Sequence, residues 1–216
     1  EFGALEVQTS STALTTLGDA VDYLYDYPYE CVEQTASRIL AVFALKDVIK
    51  DFKLSPSESR EARGLPRGAA GDADSGAKAD RIAKDGIQRL VSLQHWNGGF
   101  KFWPGSRETD PRASGWATFT LLRGKEAGYA VPEKTLANSK RYLLSEGLNP
   151  PKEWGEYWRR AVKAQSLLVL TEMGEKGEKV TTVANELYGV RSELPFFTSR
   201  DVRNILQLPW LSHQDC

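Results

Sequence analysis

The chain has 216 residues, of which 41% are hydrophobic and 26% are charged, and its formal net charge is −1. This composition is typical of a globular protein with one sizeable core, and the near-neutral charge argues against a nucleic-acid-binding surface. The sequence contains no apolar run of membrane-spanning length and no basic region followed by an apolar run at its amino terminus, so we expect neither a span nor an export signal in this segment. Two cysteines are too few for a disulfide framework.

The first residues predict a short β-segment. Leu5-Glu6-Val7-Gln8-Thr9 alternates apolar and polar residues, as a half-buried strand does. We therefore expect residues 1–12 to be the end of a neighbouring β-domain or a linker. From Leu14 to Leu24 the apolar residues take a helical spacing, which begins a helical domain predicted to extend over residues 13–211.

The stretch Tyr27-Pro28-Tyr29-Glu30-Cys31-Val32-Glu33-Gln34 leads into the next predicted helix. Pro28 disfavours a helix that runs through it and favours one that begins after it. From Ala36 to Phe52 the apolar residues recur with the spacing of an amphipathic helix. Cys31 and Gln34 are therefore expected in its first turn.

A cysteine and a glutamine three residues apart can react with each other. They lie on one face of a helical turn, and the free N–H groups at a helix N-terminus favour the thiolate of Cys31. Its attack on the Gln34 carboxamide, with loss of ammonia, would give an internal thioester. Three alternatives remain open: a buried structural cysteine, a cysteine nucleophile assisted by His95 or His213, and a disulfide with Cys216.

The rest of the chain predicts an array of helices with short turns. Residues 53–78 are rich in small and polar residues and read as a long mobile loop. A helix follows from Ala79 and ends at the turn Asn97-Gly98-Gly99-Phe100. Asp110, before Pro111, is expected to cap the next helix. Further helices are predicted from Pro132, from Trp154 to Gly174, over 180–188 and near 199–206, which makes roughly seven helices and an all-α fold. The aromatic residues Trp154, Tyr157 and Trp158 are expected to pack in the core.

The motif Cys31-Val32-Glu33-Gln34 after Tyr27-Pro28-Tyr29 resembles the thioester motif of the alpha-2-macroglobulin and complement superfamily. With Thr35-Ala36-Ser37-Arg38 it is similar to the bacterial alpha-2-macroglobulin branch in particular. The resemblance implies that Cys31 supplies the thioester sulfur and Gln34 the acyl carbon. It also implies a supporting pocket formed by five residues: Tyr27, Pro28, Tyr29, Glu33 and Asp110.

The resemblance further implies an α/α toroid, the double ring of helices also found in terpenoid cyclases and prenyltransferases. The arrangement Gln94-His95-Trp96-Asn97-Gly98-Gly99-Phe100 recurs in such toroids. The chain is short for a complete ring, so we expect an incomplete toroid over 13–211 with a frayed tail at 212–216.

The function implied by the resemblance is a single-use covalent trap, not an enzyme: a broad-spectrum protease inhibitor that acylates lysine amines of the attacking protease. Its partners would be target proteases and other domains of a longer chain, without nucleic acid, membrane insertion, metal or cofactor. Its expected location is the periplasm, the cell envelope or the extracellular space. Hydroxyl-preferring relatives use a histidine after the Gly-Gly-Phe turn, and residues 101–116 contain none, so we expect direct transfer to amines.

Two other classes of function remain open. One is a toroid enzyme such as a terpenoid cyclase or prenyltransferase subunit, although Asp72-Ala73-Asp74-Ser75 falls short of the cyclase acid motif. The other is a helical interaction module without chemistry.

Overall fold

The computed structural model describes residues 31–52 and 74–194. It contains the α-helices α1 (Val32–Phe52), α2 (Asp74–Ser92), α3 (Pro111–Glu126), α4 (Glu133–Tyr142), α5 (Glu156–Glu172) and α6 (Glu178–Gly189). A π-helical turn, Leu143–Gly147, continues α4, and a 3₁₀ turn, Arg191–Glu193, follows α6. In these two ranges the β-structure is one isolated antiparallel bridge, between Gln94 and Phe100.

Several predictions lie outside the described residues. They are the β-segment of 1–12, the helices expected near 14–24 and 199–206, the residues Tyr27, Pro28 and Tyr29, and the tail at 212–216 with Cys216. Within the described residues, no helix is both long and apolar enough to cross a membrane.

The helices form two alternating layers. In the inner layer α1 packs against α3, and α3 packs against α5. In the outer layer α2 packs on α1 and α3, α4 and its π-helical turn pack on α3 and α5, and α6 packs on α5. Successive helices thus alternate between inner and outer positions, which is the arrangement of an α/α toroid. The predicted all-α toroid is confirmed.

The core explains why α1 is fixed at its first turn. Val32, Ala36 and Ile39 are fully buried and follow one another at i, i+4 and i+7, so they form one stripe. They pack in a cluster with Ile87 and Leu90 of α2 and with residues of α3. Because the stripe begins at Val32, the residue directly after Cys31, the N-terminal end of α1 is anchored in the core.

Helix α2 begins earlier than the sequence predicts. The loop prediction over 53–78 is wrong from Asp74 onward, where the chain is already helical. The buried residues Ala79, Ala83 and Ile87 hold α2 in the core, and the helix extends from them toward its N-terminus. Ser, Gly and Asp are tolerated in a first turn because its N–H groups lack intrahelical partners. Composition alone therefore placed the end of the loop too late in the sequence.

The aromatic residues at the start of α5 are another difference. Spacing placed Trp154, Tyr157 and Trp158 in the core, but Tyr157 is 51% exposed and Trp158 is 50% exposed. The buried stripe of α5 begins one turn later, at Val162. The first turn of α5 instead faces an open groove on the inner layer.

Candidate functional site

Cys31 is the N-cap residue of α1. It directly precedes Val32, and its carbonyl oxygen accepts the first hydrogen bond of the helix, from the Thr35 N–H at 2.9 Å. Its side chain is only 3% exposed and is a free thiol. Gln34 occupies the third helical position. The two predicted reactive residues therefore lie at the positive end of the helix dipole.

Each of the two side chains accepts a hydrogen bond from the backbone N–H of the other residue. The backbone N–H of Gln34 donates to the Cys31 Sγ at 3.4 Å, and the backbone N–H of Cys31 donates to the Gln34 Oε1 at 3.4 Å. The pattern is that of a capping box, with cysteine in the place of the usual serine or threonine. A donor–acceptor distance of 3.4 Å is ordinary for a hydrogen bond to sulfur and long for a hydrogen bond to oxygen. The capping geometry therefore holds the thiol and the carboxamide within one helical turn, each against the backbone of the other residue.

This arrangement suits an intramolecular acyl transfer. The Cys31 thiol and the Gln34 carboxamide are the two reactants from which ammonia would be lost. If the Cys31 Sγ attacks the Gln34 Cδ, negative charge develops on Oε1, where the Cys31 N–H already donates. A backbone donor at that position stabilises the charge as an oxyanion hole does. Burial of Cys31 also limits access of water to the product.

The segment Phe100–Phe102 holds two helix N-termini side by side. The Phe102 carbonyl accepts from the N–H of Val32, the first residue of α1, at 3.1 Å. The Phe100 carbonyl accepts from the N–H of Asp110, the N-cap of α3, at 3.0 Å. The capping residues Cys31 and Asp110 are consequently placed at the same end of the inner layer. Sequence analysis did not predict that Phe102 accepts a hydrogen bond from the start of α1. The nearby Gly98-Gly99-Phe100 turn was the sequence signal that pointed to this segment.

The turn before this segment packs directly on α4. Gly98 has φ of +95°, and a Cβ there would lie 2.3 Å from the Asn138 carbonyl oxygen. A Cβ on Gly99 would lie 2.5 Å from the ring of Tyr142. Gln94 adds polar contacts, because its Nε2 donates to the carbonyls of Gly98 and Thr135 and to the Ser139 Oγ. The outer helix α4 thus fixes the turn that positions Phe100–Phe102.

A buried polar cluster lies beneath the same segment. The Ser114 Oγ accepts from the Phe100 N–H and donates to the Asp110 carbonyl, both at 2.7 Å. Tyr142 is buried nearby, and burial raises the pKa of its phenol, while hydrogen bonds with Thr109 and Ser114 oppose that shift. The phenol therefore remains neutral at physiological pH.

Asp110 caps α3 as predicted. Its Oδ1 accepts from the Ala113 N–H at 2.8 Å, and Pro111 occupies the first helical position. The capping prediction is confirmed, while a contribution of Asp110 to the pocket around Cys31 stays a prediction.

Replacing Asp110 separates these two roles. We expect Asp110→Ala to lower the free energy of unfolding by about 0.5–2 kcal/mol, because the Ala113 N–H loses its acceptor. Asp110→Asn keeps a capping oxygen and removes the charge, so its unfolding midpoint in urea should remain near that of the wild type. A changed rate of amine labelling at Gln34 in Asp110→Asn would identify an electrostatic role in the pocket, and an unchanged rate would exclude one.

In the part of the chain that the structure describes, the other predicted site residues make no recorded hydrogen bond with the side chains of Cys31 or Gln34. Glu33 is exposed and lines a groove between α1, α3 and α5. His95 lies in the turn region beside the exposed ring of Trp96, and its Nδ1 is buried without a hydrogen-bond partner among the described residues. His213 lies outside those residues. No group of three or more His, Cys, Asp or Glu residues in 31–52 and 74–194 could hold a metal ion.

No family model matches the chain. Curated relatives do match the chain. The chain is 27% identical over 144 residues to the alpha-2-macroglobulin of Xylella fastidiosa and 31% identical over 118 residues to that of Escherichia coli. These alignments cover 66% and 55% of this chain. The chain is therefore similar in sequence to bacterial alpha-2-macroglobulins. It spans only 8% and 6% of the lengths of those two relatives.

Solved alpha-2-macroglobulins share the fold of this alpha-2-macroglobulin-like chain. A mutant of the Salmonella protein superposes with a TM-score of 0.66 at 22% identity, over 90% of this chain and 12% of the other. The Salmonella protein reacted with methylamine gives 0.63 at 23% identity, over 88% and 12%. Trypsin-activated Escherichia coli alpha-2-macroglobulin gives 0.59 at 21% identity, over 86% and 12%.

Proposed function

We propose that this chain is the thioester domain of a bacterial alpha-2-macroglobulin-like protease inhibitor, in which Cys31 and Gln34 form an internal thioester. The observation that carries the proposal is the reciprocal pair of hydrogen bonds between Cys31 and Gln34 at the N-terminus of α1. A structural cysteine would need only burial. A thioester also requires a carboxamide held in the same turn, and the hydrogen bond from the Cys31 N–H holds the Gln34 side chain there.

Formation of the bond follows from this arrangement. The Cys31 thiol gives up its proton and Sγ attacks the Gln34 Cδ, so that the carbonyl electrons move onto Oε1 beside the Cys31 N–H. When the tetrahedral intermediate collapses, the C–N bond breaks and Nε2 leaves with the added proton as ammonia. The products are a thioester between Sγ and Cδ and one molecule of ammonia.

Reaction with an amine then uses the same two backbone donors. The amine nitrogen attacks the Gln34 Cδ and loses a proton, the C–S bond breaks, and the acyl group becomes an amide. The Cys31 sulfur leaves as a thiolate, for which the Gln34 N–H is the hydrogen-bond donor at hand. The bond is used once, so the domain acts as a trap without turnover.

The similar proteins support the choice of amine and protease as partners. The Salmonella relative was solved after reaction with methylamine, and the Escherichia coli relative after activation by trypsin. We infer that lysine amines of an attacking protease are the acceptors in this chain, and that other domains of a longer protein shield the bond before attack. The proposed location is the periplasm, the cell envelope or the extracellular space.

Intact-mass measurement tests the proposal on the full-length gene product. We expect a mass lower by one ammonia than the sequence requires, and a gain of one methylamine when the protein is treated with that amine. Peptide mapping should place the methylamide on Gln34, and a thiol-specific reagent should label Cys31 only after treatment. A native mass equal to the sequence mass, with no methylamine uptake, would contradict the proposal and leave a helical interaction module or a toroid enzyme.

A further inference from the structure

An open groove of about 560 Å³ lies on the inner layer, beside the first turn of α1. Helices α1, α3 and α5 form its walls. Its lining is largely apolar and aromatic, with Trp116 and Phe119 from α3, Trp158 and Leu168 from α5, and Glu33 and Arg112 as its charged members.

Aromatic side chains line two walls of the groove. The Trp116 Nε1–H donates to the Ser37 Oγ at 3.1 Å, so its polar group is already satisfied. The Trp116 ring is stacked on Phe119, with centroids 5.8 Å apart. Across the groove, Trp158 remains 50% exposed although the Arg112 guanidinium lies 5.7 Å from its ring centroid. A half-exposed indole in a concave apolar site favours an apolar or aromatic occupant.

The groove reaches the first turn of α1, which carries the predicted acyl group, through Glu33. Glu33 lies in the same turn as Cys31 and Gln34 and directly precedes Gln34 in the chain. Its carboxylate lines the groove and is exposed. An amine approaching Gln34 carries a positive charge in water, which the Glu33 carboxylate attracts. The groove therefore carries a complementary negative charge on the same helical turn as the predicted acyl group.

We propose that this groove is an acceptor subsite, which binds the apolar or aromatic body of a primary amine while its nitrogen attacks Gln34. The proposal rests on the thioester function proposed above. It assigns Trp158 and Trp116 to the selection of acceptors, so that amines with an aryl group a few methylenes from the nitrogen react faster than short alkyl amines. The reaction is the one already written: the C–S bond breaks, the amide C–N bond forms and the amine proton goes to solvent.

Two amines that differ only by a ring test the preference in the full-length gene product. Propylamine and 3-phenylpropylamine are compared at equal concentrations of free amine, and the rates of Cys31 thiol release give a ratio for each protein variant. We expect a ratio clearly above one in the wild type. Trp158→Ala should lower this ratio by about fivefold to tenfold, because stacking and apolar contact with the indole are lost. Taking the ratio within each variant removes general changes in reactivity.

Tyr188→Ala is the matched control. Tyr188 is also about half exposed, at 45%, and also carries an arginine over its ring, with the Arg191 guanidinium 4.0 Å from the centroid. It lies on α6 in the outer layer, away from the groove, so the wild-type ratio should persist in this variant.

The outcomes separate this inference from the function on which it rests. If both amines react but the wild-type ratio is near one, or if Trp158→Ala leaves the ratio unchanged, the subsite is wrong while the thioester stands. If the wild-type rate ratio is near one and Trp158→Ala lowers the melting temperature, the groove would instead be a packing site for protein, such as residues 195–211 or a second copy of the chain. If neither amine releases the thiol, both proposals fail.

Discussion

Gly98→Ala is expected to lower the free energy of unfolding by about 2–5 kcal/mol, the sum of a left-handed backbone penalty for alanine and a clash in a packed site. Gly98 has φ of +95°, which alanine rarely adopts. Its new Cβ would lie 2.3 Å from the Asn138 carbonyl oxygen. That oxygen belongs to the backbone of α4, so it cannot move aside as the tip of a flexible side chain would. Urea denaturation followed by circular dichroism measures the loss.

Gly128→Ala is the control for the backbone term. Gly128 has φ of +87°, close to that of Gly98, but a Cβ there would have no neighbour within 4 Å. This variant should lose only the left-handed penalty, about 1–2 kcal/mol. The difference between the two variants therefore measures the contact between the turn and α4. Equal losses would show that α4 does not hold the turn as described.

The same variant carries a prediction for the site. Gly98 and Gly99 fix the segment Phe100–Phe102, and the Phe102 carbonyl accepts from the Val32 N–H at the start of α1. When folded, Gly98→Ala should therefore form less of the thioester, whereas Gly128→Ala should not. A stability loss without any change in the fraction of protein that takes up methylamine would contradict this coupling.

Local spacing was enough to predict that Cys31 and Gln34 share the first turn of α1 and that Asp110 caps α3. Both depend on residues three apart at the start of a helix, and such pairs meet whenever the helix forms. The all-α array also followed from the run of helices, whereas the α/α toroid was implied by the family resemblance. These features need no knowledge of distant partners.

The features that sequence analysis missed depend on contacts between distant parts of the chain. The hydrogen bond from Val32 to Phe102 joins a helix start to a turn that follows a different helix. The period of α5 indicates which residues share a face, but not whether another helix covers that face, so Trp158 was expected in the core and is half exposed. The start of α2 at Asp74 depends on packing of Ala79 and Ala83 in the core, which composition does not reveal.

Cys31→Ser is expected to abolish amine incorporation completely while the domain stays folded. A serine hydroxyl accepts the hydrogen bond from the Gln34 N–H as the Cys31 Sγ does, and serine is a favoured N-cap residue, so the free energy of unfolding should change by less than about 1 kcal/mol. The hydroxyl is a far weaker nucleophile than a thiolate toward a carboxamide, so no ammonia is lost and no acyl donor forms. Intact-mass measurement before and after methylamine, beside urea denaturation, reports both quantities.

Two further variants separate the effect of this turn on stability from its effect on reactivity. Cys31→Ala should also take up no methylamine, and in addition it should lose about 0.5–2 kcal/mol, because the Gln34 N–H loses its acceptor. Gln34→Glu keeps an oxygen for the Cys31 N–H but offers a carboxylate, which resists attack by a thiolate, so it should be as stable as Cys31→Ser and equally unreactive. Methylamine uptake in Cys31→Ser or Gln34→Glu would show that the acyl group lies elsewhere. Unfolding of Cys31→Ser would show that the thiol is needed for packing instead of chemistry, since the capping interaction survives in that variant.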